Sequence, residues 1–142
     1  MSSDEEIEQI SLSLVLYAER IGDMVPFVYD RFFDLDKDAK ALMAYSDEPM
    51  RGRMFASVLE LFMSDEHLDV GGYLDWELDN HLRAYGATPA MYETFFESVV
   101  TTLAEGLGDE WTETWSQAWR GRLARIMEHV QVHESRLSEL KA

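Results

Sequence analysis

The chain has 142 residues, 46% of them apolar and 28% charged, the balance expected of one globular domain spanning residues 1–142 around one core. Its 28 acidic residues against 12 basic ones leave a net charge of −16, a field that repels nucleic-acid backbones and anionic lipid and so argues against both as partners. The absence of cysteine excludes disulfides, thiolate metal sites, thiol nucleophiles and thioether-linked haem. With no apolar run long enough to span a bilayer, and an acidic start unlike a secretory leader, the simplest expectation is a cytoplasmic protein.

Apolar residues recur at helical spacing from end to end, and strand-like alternation is scarce. Ser3-x-x-Glu6 reads as a capping box ahead of Ile7, Ile10, Leu14, Tyr17 and Ile21 on one helix face. The segment from Gly22 to Pro26 breaks that pattern. A second helix follows, with Val25, Tyr29 and Phe32 in line and Phe33 beside them. Asp36 or Asp38 starts a short turn running from Ala39 to Tyr45. Ser46-Asp-Glu-Pro49 caps the next helix, which carries the stripes Met50/Met54/Val58/Leu61 and Phe55/Leu59/Phe62. Residues Ser64 to Gly72 are polar and glycine-bearing, and read as a loop.

Leu74, Leu78, His81, Leu82 and Tyr85 then form one helical face that ends at Gly86. Thr88 and Pro89 open another helix, with Tyr92, Phe95, Val99, Leu103 and Leu107 in register. Gly108-Asp-Glu-Trp-Thr112 is a corner, and the last helix carries Trp115, Trp119, Leu123, Met127 and Val130. The prediction is an all-α fold of roughly six long helices plus short turns.

Chemistry concentrates on few residues. His81, on an apolar stripe just before a corner, is either a core imidazole satisfied by a carbonyl or a metal ligand. His129 and His133 have a metal-compatible spacing but no evident third ligand, and read as a solvated face. Glu-x-x-His pairs, a Ser-His-Asp set and a glycine-rich phosphate loop are all missing from the sequence.

Five fragments, in this order, resemble a bacterial single-domain globin, close to the haem domain of flavohaemoglobins. They are Val28-Tyr29-Asp30-Arg31-Phe32-Phe33, Asp36 to Ala44, Met50-Arg51-x-x-Met54-Phe55, Leu107-Gly108-Asp109-Glu110-Trp111-Thr112, and Ala118-Trp119. The resemblance implies a globin fold holding haem b, with His81 as iron ligand. Tyr29 matches the distal tyrosine, the catalytic candidate, whose hydroxyl donates a hydrogen bond to dioxygen on the iron. Met50 falls where the family places a distal glutamine, and Met54 at the apolar wall one turn later. Met43 falls where a phenylalanine packs on the haem face. Tyr92 and Glu134 match a proximal pair that orients the iron-bound histidine. The ungapped register through Tyr85-Gly86 and Pro89 places Leu82 at the ligating position instead, and His81 takes it when the corner is one residue longer. Two functions follow. One is a globin that binds dioxygen, nitric oxide or carbon monoxide, and oxidises nitric oxide when an external reductase supplies electrons. The alternative, favoured by Leu82 and Met43, is a haem-free globin-fold regulator that binds an apolar ligand or a protein.

Overall fold

The computed structural model describes residues 1–63 and 88–141. Six α-helices and one 3₁₀ turn occur among the described residues, with no strand: α1 (Ser3–Arg20), α2 (Val25–Leu35), α3 (Lys37–Leu42), α4 (Glu48–Met63), α5 (Pro89–Leu107), the turn Gly108–Glu110, and α6 (Glu113–Lys141). The expected loop at Ser64–Gly72 and the helix bearing His81 lie outside the described residues.

Side-chain oxygens set most of the starts. Asp36 Oδ1 accepts from the Ala39 N–H at 2.9 Å, Asp47 Oδ1 from Met50 at 2.9 Å, Thr88 Oγ1 from Met91 at 3.2 Å and Thr112 Oγ1 from Trp115 at 3.1 Å. Each satisfies a donor that the first helical turn leaves without a partner. The first helix departs from expectation by one residue. Ser2 is the cap, accepting from Glu5 N–H at 3.2 Å and donating to Glu5 Oε1 at 3.0 Å. Ser2-x-x-Glu5 and Ser3-x-x-Glu6 fit the capping box equally well, and the register adopted turns Glu6 inward.

The core rests on three helix pairings. The last helix packs most extensively along α1 and also on α5, while α2 crosses α5. Shorter contacts join α4 to α1, α2 and α6. Trp119, Leu123, Met127 and Val130 are buried on α6, and Phe95, Val99, Leu103 and Leu107 on α5, as the stripes predict. The inward face of α1 differs from its predicted stripe. Glu6, Ile10, Ser13 and Tyr17 are buried, whereas Ile21 has left the helix and is exposed. Ser13 faces inward because Trp119 needs a hydrogen-bond acceptor: its Nε1–H donates to Ser13 Oγ at 2.9 Å, and Ser13 donates onward to the Ile10 carbonyl at 2.7 Å. Val28 and Ile126, off the predicted lines, are fully buried because each helix face is wider than a single row.

The corner after α5 turns on Gly108, whose φ of 54° is left-handed backbone that favours glycine. Beside it Arg20 of α1 grips Glu110 through three hydrogen bonds, Nε to Oε1 at 2.9 Å and to Oε2 at 3.2 Å, and Nη2 to Oε2 at 3.1 Å. Arg31 of α2 pairs with Glu105 of α5. Both pairs are largely exposed, and hold the first two helices to the end of α5.

Candidate functional site

Tyr29 is the described residue that best combines burial with chemistry. It leaves α2 one residue after Val28, is 2% exposed, and its hydroxyl donates to the Arg51 carbonyl in the first turn of α4 at 3.2 Å. Phe32, Phe33 and Phe95 surround its ring, with centroids 6.5, 5.7 and 5.4 Å away. Phe95 continues the cluster to Phe55 of α4 at 6.3 Å and to Phe96 at 6.2 Å, and Phe96 reaches Tyr92 at 6.4 Å. The junction of α2, α4 and α5 is thus a continuous set of rings, mostly tilted or edge-to-face, the arrangement that aromatic quadrupoles prefer. Burial pushes the Tyr29 phenol up to about 12, since the phenolate would lose its water, and the nearby Arg51 cation offsets this in part.

Arg51 is the residue that sequence reasoning did not connect to Tyr29. Its guanidinium lies 5.8 Å from the Tyr29 ring centroid and 5.0 Å from that of Phe33. Its Nε–H donates to Ser46 Oγ at 2.9 Å, and Ser46 in turn donates to the Met43 carbonyl at 2.7 Å. The end of α3, the turn after it and the start of α4 are therefore linked to Tyr29 through one arginine. The link to Tyr29 uses a backbone carbonyl, which carries no side-chain signature.

The other candidate residues divide into three groups. Met43 is half-buried against the core, Met54 is half-buried on α4, and Tyr92 is half-buried at the α5 end of the ring network. Met50 is 42% exposed, so the α4 residue facing Tyr29 is its neighbour Arg51. His81 and Leu82 lie outside the described residues, as does the side chain of Glu134, whose backbone is helical within α6. Tyr29, Met43 and Tyr92 share one core, while His81, Leu82 and the Glu134 side chain fall beyond what is described. Among the described residues no group of three or more histidine, cysteine or carboxylate side chains is placed to hold a metal ion. None of their helices is long and apolar enough to cross a membrane.

No protein-family model matches this chain, and no match is found among curated proteins or solved structures.

Proposed function

We propose that the chain is a haem-binding protein of the globin type that takes a diatomic gas, with Tyr29 as the distal hydrogen-bond donor. The observation that carries this reading is a buried phenol aimed from α2 at the first turn of α4, within an apolar and aromatic junction. The described residues suit the distal side of a porphyrin in their chemistry: rings and thioethers for its plane, one hydroxyl for a polar ligand. The packing of the last helix on the helix after Pro89 also agrees with the arrangement that the resemblance implies. His81 is the residue assigned to the iron, with Tyr92 and Glu134 behind it. When bound, haem supplies the iron that holds the gas; nitric oxide oxidation then draws its electrons from a separate reductase. Tyr29 supplies a proton donor whose present acceptor is a neutral carbonyl. A more anionic acceptor competes well for it, because charge-assisted hydrogen bonds are about twice as strong as neutral ones.

A second reading, the haem-free regulator, is favoured by one observation. The Tyr29 hydroxyl already has a backbone partner, and Phe32, Phe33 and Phe95 close directly on its ring. An absorption spectrum of the protein reconstituted with haem decides between the two. A strong Soret band that is lost in His81→Ala and kept on replacing His67, the histidine of the polar Ser64–Gly72 stretch, by alanine supports the haem reading; no band in the parent protein supports the regulator. In the loaded protein, Tyr29→Phe is expected to speed dioxygen release by about 10- to 100-fold and carbon monoxide release by less, since one hydrogen bond to a charged acceptor is worth roughly 1.5–3 kcal/mol. Equal effects on the two gases would remove Tyr29 from the site.

A further inference from the structure

The seam between α1 and α6 holds charge at positions where packed helices are ordinarily apolar. Glu6, in the first turn of α1, is 5% exposed, and Arg122 of α6 is fully buried. Arg125, one turn further along α6, brings Nη2 to 3.2 Å from Glu6 Oε1 and keeps 42% of its side chain in solvent. Arg122 Nη1 donates to Ser3 Oγ at 3.3 Å. Residues 3 and 6 of one helix thus meet residues 122 and 125 of the other, with the same three-residue step on each side. Three residues is close to one helical turn, so both contacts form in one register of the two helices and a slip breaks both.

Gly121 is what admits the carboxylate. A Cβ at this position would stand 2.0 Å from Glu6 Oε2 and 3.1 Å from its Cδ, so the acid fills the space of a missing side chain. No left-handed backbone calls for glycine there, since Gly22 and Gly108 alone have positive φ among the described residues. Glycine in a helix interior is less favourable than alanine by about 0.5–1 kcal/mol.

We infer that Glu6 in the Gly121 notch is an ionic lock, one that fixes the N-terminal half of α1 on α6 in a single register and releases that half as a unit when its charge is lost. Loss of the carboxylate removes the negative charge from a seam that retains both guanidinium groups, the fully buried one of Arg122 included, and positive charge left in a desolvated seam is costly. The inference is independent of haem and of any ligand.

A four-member cycle tests it: the parent chain, Glu6→Ala, Gly121→Ala and the double variant, each followed by chemical denaturation and by hydrogen exchange at the amides of residues 7–16. Gly121→Ala is expected to lower the denaturation midpoint in the parent chain and to raise it in the Glu6→Ala background, where the added methyl meets no carboxylate and improves helix propensity. Failure of Gly121→Ala to fold in the parent, with folding restored in the double variant, is the same reversal. Glu6→Gln keeps the shape and removes the charge; it is expected to speed exchange in α1 by about tenfold or more while α5 amides hold their rates. A Gly121→Ala effect of the same sign in both backgrounds overturns the inference. So does a Glu6→Gln variant whose α1 amides are unchanged, or change only in step with those of α5.

Discussion

The two helix seams that build this molecule are closed in opposite ways. Between α1 and α6, directional polar contacts reach into the interior: Trp119 to Ser13, Trp115 Nε1 to Gln9 Oε1 at 3.0 Å and Arg122 to Ser3, with the Arg125–Glu6 ion pair beside them. At the junction of α2, α4 and α5 the contacts are rings, with the Tyr29 hydroxyl as a polar tie. A polar contact specifies an atom and an angle, so it fixes register and tolerates little change. Apolar packing specifies volume, and accepts substitution of similar size with modest loss. The first seam is therefore a frame, and the second is the part of the core that can repack.

The largest expected effect tests the frame. Trp119→Ala removes a fully buried indole and takes the donor away from Ser13, and should cost about 3–5 kcal/mol by chemical denaturation. Trp111, half-buried in the corner and bonded to Ser116 at 2.7 Å, should cost less. The reverse ranking would break the comparison at its base.

Tyr29 probes the other seam through alkaline pH. As pH rises past the ordinary tyrosine value of 10.0, the unfolded chain gives up this phenol proton, while the folded chain holds it until about 12. The folded state then binds more protons than the unfolded one, and stability falls across that window. The loss attributable to Tyr29 is about 2–3 kcal/mol by its upper end, at 1.36 kcal/mol per unit. Denaturation of the parent and Tyr29→Phe at a series of alkaline pH values measures it. A Tyr29→Phe variant with the same alkaline slope would show that the junction is wet.

A smaller contrast compares the seams atom by atom. Ser13→Ala deletes one oxygen yet takes away the acceptor of the buried Trp119 N–H, at about 1–3 kcal/mol. Phe95→Leu trims far more volume from the ring cluster, and should cost less than about 1.5 kcal/mol after repacking. Equal tolerance at the two sites would mean that polar direction contributes nothing to the frame.

The smallest effect lies on the surface. The Arg31 and Arg20 guanidinium groups hold the Glu105 and Glu110 carboxyls below the usual 4.5. Their folded values are depressed, so this support is complete above the unfolded carboxylate range and fades as pH falls through the folded values. Glu110→Gln should flatten that acid limb slightly, and high salt should erase the difference, because exposed pairs are screened.

What the sequence revealed follows the same division. The rows of α5 and α6, the caps at Asp36 and Thr88, and the burial of Tyr29 and Trp119 were all legible, because each rests on local spacing or on a local cap. The inward face of α1 was not. Ser13 and Glu6 are polar, and interrupt the apolar period that marks a buried face, while the partners that draw them in lie on the last helix. Arg122 is hidden for the same reason, since periodicity scores an arginine as solvent-facing. The approach of Arg51 to Tyr29 depends on how α4 crosses α2, and its hydrogen bond ends on a carbonyl that every residue has. Of the site, Tyr29 was readable as a buried phenol and its setting was not; His81 falls outside the described residues.

The hydrogen bond from Trp119 to Ser13 joins residues 106 apart in the chain. On a ribosome adding about 5–20 residues each second, α1 waits roughly 5–20 s for the helix that covers it. Through that interval Ser13 has no Trp119 to cover it, and the notch at Gly121 that seats Glu6 has yet to be made. The ring cluster of α2, α4 and α5 can gather before α6 appears, so the more yielding part of the core is available first and the frame closes last. Nascent chains halted before α6 emerges should present the α6-facing side of α1 to solvent, where a holding chaperone or a protease finds it before its own last helix does.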